Sequence, residues 1–382
     1  MLGVLTLHYG YNEGAILQAY ALATVLAGRG AAPRIIDHRY PAKLAIYRRH
    51  MDRRKEELQK AIDSWLPLSD VRFESASERD TWRYIEHNCS GVVVGSDQVW
   101  RVRYSRVFFG LRIDQRDAFI GRFPNVYWPP RRLPVTKSAY AVSIGDADLG
   151  PIPRRDKREM ADRLNDFRVI GVRDVRTAEF VAALDRALES RIRLCPDPTI
   201  LMNWDTDSAR ITLEAKLHRA GVPSDAPIAL QLTDPSASSR ELSGLLAKSG
   251  YIVVGTGSGD DYSQVRLANV GLTPLEWVAL FETVNVCITD RMHAFIFAML
   301  KHCPCVVIDA ASFASNRATR IVDLATRVGY LDNVLNYSAS PRRVLDAMLT
   351  IKPPWDEVDR RLACYREEGM RTIDEIVGSG SD

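Results

Sequence analysis

The stretch from residue 285 to residue 309 constrains the fold more than any other. Val286-Cys-Ile-Thr289 is apolar and partly β-branched, as a buried strand requires. Ala294 to Leu300 is almost wholly apolar, the composition of a helix buried on all sides. Lys301-His-Cys-Pro304 breaks that helix, and Cys305 to Ile308 is apolar again. Strand, helix, strand in this order is a β-α-β unit, which needs a parallel sheet. The same order opens the chain. Val4 to His8 reads as a strand, Ala15 to Ala27 as a helix stopped at Gly30, and Arg34 to His38 as a strand. A chain of 382 residues has room for two domains. The expected architecture is α/β: two Rossmann-like, doubly wound domains facing a cleft. The first spans 1–203, with a helical insertion over 41–88. The second spans 204–354, and a C-terminal helix and tail over 355–382 pack back.

Bulk properties narrow the function. A net charge of +3 is too weak to argue for a nucleic-acid or membrane partner, no nucleic acid is expected, and no apolar run is long enough for a transmembrane segment. The six cysteines show neither zinc spacing nor a C-x-x-C pair, and several sit in apolar strands. Together with a first strand that lacks the basic start of a signal peptide, this sets the expectation of a cytoplasmic protein. No Asp/Glu/His cluster has metal spacing, so no metal is expected.

Open parallel sheets bind ligands beyond the carboxyl ends of their strands, and the polar residues fall there. Asp290 is read as a helix N-cap, with Arg291 and His293 in the first turn. A helix N-terminus attracts anions, Arg291 adds a guanidinium fork, and His293 can move a proton near neutral pH. The structural alternative is Arg291 paired with Asp290 or Asp309, and His293 as a satisfied core histidine. Asn12 and Gly14 lie in the turn after the first strand. Ser96 and Asp97 end the apolar strand Val92 to Val94, where Asp97 either accepts from sugar hydroxyls or caps a helix. Arg173 follows the strand Val169 to Val172, with Asp174 or Glu179 as its structural partner. Arg317 and Arg320 stand at the start of the helix Ile321 to Val328. The densely charged run Arg48 to Lys60 reads as a solvated helix face, and Ile113 to Val135 as a long loop or flap.

Five segments, in this order, resemble the polysaccharide pyruvyl transferase family: Asn12-Glu-Gly-Ala-Ile-Leu-Gln-Ala-Tyr-Ala-Leu22, Val94-Gly-Ser-Asp-Gln-Val-Trp100, Val172-Arg-Asp174, Asp197-Pro-Thr199 and Thr289-Asp-Arg-Met-His293. The resemblance implies a GT-B-like pair of domains. It implies transfer of the pyruvyl group of phosphoenolpyruvate to hydroxyls of a sugar-containing acceptor, with a ketal formed and phosphate released. Phosphoenolpyruvate is then a co-substrate, and no cofactor is expected. The family's histidine matches His293 and its arginine matches Arg173. These two, with Arg291 and one of Arg317 or Arg320, become the expected donor-binding groups. His293, Asp97 and Asp290 are the catalytic candidates, and Asn12, Gly14, Gln18, Ser96 and Asp97 the acceptor-binding ones. Where many members have a lysine downstream, this chain has arginines. Two competing readings are a GT-B-type glycosyltransferase using a nucleotide sugar and a non-catalytic sugar- or anion-binding homologue.

Overall fold

The computed structural model describes residues 1–49, 51–102, 104, 122–256, 263–309 and 319–378. Seven strands form the first sheet: β1 (Leu2–Leu5), β2 (Pro33–Arg39), β3 (Leu68–Glu74), β4 (Gly91–Val94), β5 (Thr136–Val142), β6 (Phe167–Val172) and β7 (Ile192–Leu194). Six form the second: β8 (Ile228–Leu232), β9 (Ile252–Gly255), β10 (Val265–Arg266), β11 (Val286–Thr289), β12 (Cys305–Asp309) and β13 (Val334–Asn336). Their orders are β3-β2-β1-β4-β5-β6-β7 and β10-β9-β8-β11-β12-β13, and neighbouring strands run parallel. The central strands are buried along their length, as in β4, Gly-Val-Val-Val, because helices cover both faces.

Each sheet winds outward in both directions from its first strand. The order therefore reverses between β1 and β4, and again between β8 and β11. A crevice opens at such a reversal, beyond the strands' carboxyl ends. The two crevices face each other.

The helix Glu13–Gly28 explains how the halves are joined. Ile16, Ala19, Leu22 and Leu26 pack on the first sheet, while Leu17 and Ala21 pack with Trp277, Phe295 and Phe297 of the second half. Both flanks are buried, so the helix shows no clean polar face. The C-terminal helix Trp355–Val377 also bridges the halves. Val358, Leu362 and Tyr365 join the second half's core, and Ile373 and Ile376 join the first. This three-four spacing makes one continuous apolar stripe. Among the described residues, no helix is long and apolar enough to cross a membrane.

Two expectations change. The insertion is not purely helical, because β3 lies within it and pairs with β2 as an edge strand. Charged Asp70, Arg72 and Glu74 conceal it, since an edge strand buries little. Of the expected loop or flap, residues 113–121 lie outside the described residues. The remainder is core rather than flap: Phe123, Val126, Tyr127, Trp128 and Leu133 are buried, and Trp128 stacks on Trp100 at 5.0 Å. In contrast, the Thr273-Pro-Leu-Glu276 capping box forms as its sequence predicts. Glu276 N donates to Thr273 Oγ1 at 3.2 Å, and Thr273 N donates to Glu276 Oε2 at 2.7 Å.

Candidate active site

β11 runs directly into the helix Met292–Leu300, whose N-cap is Arg291 rather than the expected Asp290. Thr289 sets this turn: its hydroxyl donates to Leu232 O at 2.9 Å and accepts from Arg291 N at 3.0 Å. Asp290 is thereby turned towards the end of β8, where its carboxylate accepts from Asp234 N at 2.8 Å. Burial lifts the Asp290 carboxyl above its ordinary range by more than the Asp234 amide lowers it.

His293 crosses to the first half and lies against Gly14. A Cβ at residue 14 would come 2.3 Å from both Cγ and Nδ1 of the imidazole. Glycine is therefore required there by steric approach, not by the freedom of its backbone. His293 Nε2 lies 3.4 Å from Asp197 Oδ2, an ion-pair distance without the geometry of a hydrogen bond.

Behind the imidazole is a buried chain of charges. Asp197 Oδ2 accepts from Arg173 Nη1 at 2.8 Å, and its Oδ1 accepts from Thr199 N and Thr199 Oγ1 at 3.1 and 2.8 Å. Arg173 Nη2 donates to Asp97 Oδ1 at 3.1 Å. Asp97 has φ 74°, and Ser143 N donates to its carbonyl at 2.9 Å, tying it beside β5. Burial opposes ionisation of Asp97, but Arg173, then His293 and Arg320, outweigh it and hold the carboxyl below its usual range. Asp197 is lowered strongly. There too burial is the largest influence, overcome by His293, Arg173 and the Thr199 hydroxyl. Arg173 stays firmly charged because its carboxylate neighbours outweigh burial.

The expectation that Arg173 grips a ligand therefore needs correcting. Its side chain is 1 % exposed, it does not line the cavity, and both terminal nitrogens are taken by carboxylates. Neither Asp174 nor Glu179 is its ion-pair partner. Asp174 caps the helix Val175–Leu184 through Thr177 N. Arg173 thus holds Asp97 and Asp197 in place rather than reaching the opening.

The opening between the two crevices is a cavity of about 570 Å³. Asn12, Gly14, Asp97, Asp290, Arg291, His293 and Arg320 all line it. Asn12 also caps its helix, accepting from Ala15 N at 3.2 Å. Neither Arg291 nor Arg320 forms a side-chain hydrogen bond or ion pair among the described residues. Burial, and then the like charge of Arg173, lower the pKa of Arg320. A smaller cavity of about 290 Å³ adjoins the first and shares Gln98, Asp290 and Arg320 with it.

Two acceptor-binding candidates are misplaced. Gln18 and Ser96 are fully buried beneath the turn. The Ser96 hydroxyl donates to Gln18 Oε1, and Gln18 Nε2 donates to Leu7 O and Ala15 O, both at 2.8 Å. They brace the backbone and do not reach the cavity. Arg317 lies outside the described residues. Glu13 and Arg54 are among the wall residues that escaped the sequence reading. They form a two-pronged ion pair, with Nε and Nη2 each 2.6 Å from a carboxylate oxygen. Forty-one positions separate them, and Arg54 is concealed in a charged run. The part played by Asp197 was missed too, although its Asp-Pro-Thr segment stood out.

Solved structures share this architecture. The chain is similar to the UDP-N-acetylglucosamine 2-epimerase of Rickettsia bellii, with 8 % identity, 99 % of this chain and 96 % of that one covered, and a TM-score of 0.55. It is similar to the UDP-GlcNAc 2-epimerase of Methanocaldococcus jannaschii, solved with UDP-GlcNAc and UDP, at 10 % identity, 95 % and 98 % coverage and a TM-score of 0.52. The Neisseria meningitidis UDP-GlcNAc 2-epimerase matches at 8 % identity, 97 % and 99 % coverage and a TM-score of 0.51. At such identities the likeness establishes the fold alone, a GT-B-like pair of parallel α/β domains. No curated protein matches the chain. A family model does match, over residues 12–312, and takes in all five segments singled out in the sequence. The chain belongs to the polysaccharide pyruvyl transferase family.

Proposed function

We propose that the protein transfers the pyruvyl group of phosphoenolpyruvate to hydroxyls of a sugar-containing acceptor and releases phosphate. One observation carries this reading. His293 opens onto a cavity that also receives Arg291 and Arg320, two arginines with no carboxylate in ion-pair contact among the described residues. Phosphoenolpyruvate carries a phosphate and a carboxylate on three carbons. Two guanidinium groups flanking a proton-transfer group suit such a ligand.

In ketal formation the methylene carbon of phosphoenolpyruvate gains a proton, and a sugar hydroxyl oxygen bonds to the neighbouring carbon. The phosphate ester bond to that carbon then breaks, and a second hydroxyl takes its place. Two hydroxyl protons are released in all. One balances the methyl group formed, and the other leaves with phosphate. His293, steadied by Asp197, is placed to assist phosphate departure. A base must take the hydroxyl proton. Asp97 is held below its normal range by Arg173 and is a poor base, whereas the raised carboxyl of Asp290 suits the task better.

The test is incubation with phosphoenolpyruvate and a set of sugar acceptors, followed by phosphate assay and mass spectrometry. Phosphate release that needs an acceptor, a matching mass gain on the acceptor, and loss of both in His293→Ala at an unchanged melting temperature are expected. Stabilisation by nucleotide sugars alone, without phosphate release, would overturn the reading in favour of a glycosyltransferase.

A further inference from the structure

The helix Arg53–Trp65 belongs to the insertion, yet its second residue forms part of the cavity wall. Arg54 is only partly engaged. Its Nε and Nη2 donate to Glu13, while Nη1 has no partner among the described residues and is not one of the sealed-off buried atoms. Nη1 therefore presents N–H groups to the cavity. The charge of this arginine is already matched. Burial works against ionisation of Glu13, but Arg54 overcomes it, and Glu13 stays a carboxylate. The pair is a rigid, directional donor with no net charge. Such a donor suits an uncharged oxygen better than an anion, unlike the unengaged Arg291 and Arg320.

Its surroundings fit a sugar ring. Half-buried Tyr11, whose hydroxyl donates to Gln59 Oε1 at 3.4 Å, and the edge of the largely buried Trp277 indole line the same cavity. Trp277 Nε1 has no hydrogen-bond partner among the described residues. Aromatic rings that pair an apolar body with a polar tip suit a ligand with C–H faces and hydroxyl edges. Glu13 adjoins Gly14, which touches His293, so this wall lies beside the imidazole along the chain of contacts.

We propose that the insertion helix, through Arg54, forms the sugar-recognising wall of the cavity and selects an uncharged sugar ring whose hydroxyl or acetamido oxygen accepts from Arg54 Nη1. This rests on reading the cavity as the place where a sugar acceptor meets its donor.

Saturation-transfer NMR with neutral methyl glycosides, N-acetylated ones included, and with the corresponding methyl uronides tests it. The wild-type protein is expected to take up signal to neutral glycosides in preference to uronides. Arg54→Met should weaken neutral binding about tenfold, the loss of one hydrogen bond to a charged group. Glu13→Gln, which leaves Arg54 unmatched, should shift preference towards uronides. The double variant Glu13→Gln/Arg54→Met leaves no unpaired buried charge and should behave as Arg54→Met does. It therefore separates recognition from misfolding. Absence of glycoside binding to the wild type, equal binding by the double variant, or a wild-type preference for uronides would overturn the proposal. Thermal stabilisation by phosphoenolpyruvate is read alongside. Its absence, with the glycoside results as expected, would sink the donor reading and leave this one standing.

Discussion

A methyl group at residue 14 has no room beside the His293 imidazole, because its carbon would fall 2.3 Å from two ring atoms. Gly14→Ala should therefore displace the imidazole from its place beside Asp197. A displacement near 1 Å costs on the order of 10²-fold in rate, so phosphate release should fall by that order, and because His293 Cβ would also lie 2.6 Å from the added carbon, stability should fall by about 2 kcal/mol. Asp197→Asn tests the buried chain behind the imidazole. Removing one charge from a buried pair costs on the order of 3 kcal/mol, measurable at pH 7 by urea denaturation. The folded pKa values of Asp97 and Asp197 lie below the unfolded value of about 3.9. Their contribution is fully present above that value and is lost as pH falls through the lower folded values. The difference between Asp197→Asn and wild type should therefore narrow below about pH 4. Asp290 behaves in the opposite sense, because its folded pKa is raised. If it is the base, the acid limb of kcat/KM lies above the ordinary aspartate value, and Asp290→Asn abolishes that limb.

The C-terminal helix packs tightly at Gly369. A Cβ there would meet Pro196 Cγ at 2.6 Å and Leu201 Cδ2 at 2.7 Å. Pro196 directly precedes Asp197, so this helix backs the turn that steadies His293. Gly369→Val should overpack this contact, lowering stability by about 2 kcal/mol, and should lower activity further by shifting Asp197. Thermal melting and phosphate assay on the same sample check both. The turn before the helix Met292–Leu300 shows what pattern reading can miss at this scale. An aspartate before a helical run is a good N-cap signal, but Thr289 bonds both ways and moves the cap to Arg291. β3 was missed for a related reason, since edge strands tolerate the charges that usually mark helix surfaces or loops.

At the scale of the whole molecule, two long helices join the lobes, beside the contact of the insertion helix Arg53–Trp65 with Leu267–Val270. The helix Glu13–Gly28 shares its residues between two cores, and the helix Trp355–Val377 spans both. Deleting residues 355–382 would remove Val358, Leu362, Tyr365, Ile373 and Ile376, each buried in the folded protein, and uncover the core surfaces they pack on. Each is worth roughly 1.5–3 kcal/mol of burial. The sum is comparable with the stability of an ordinary domain, so the truncated chain should lose its single melting transition or fail to remain soluble. Calorimetry distinguishes these outcomes from a benign deletion, which would leave one transition near the original temperature.

Periodicity and apolar runs by themselves determined the two parallel α/β sheets, the helix with the Thr273 capping box and the placement of His293 at a strand's carboxyl end. Those features depend on neighbours a few residues apart, which a sequence displays directly. Tertiary structure alone decided that Arg173 is buried between two carboxylates, that Gln18 and Ser96 brace the turn, and that Glu13 pairs with Arg54 in the cavity wall. Each of these joins residues 24 to 78 positions apart, and whether a charged side chain faces a ligand or another side chain is settled only when the lobes meet.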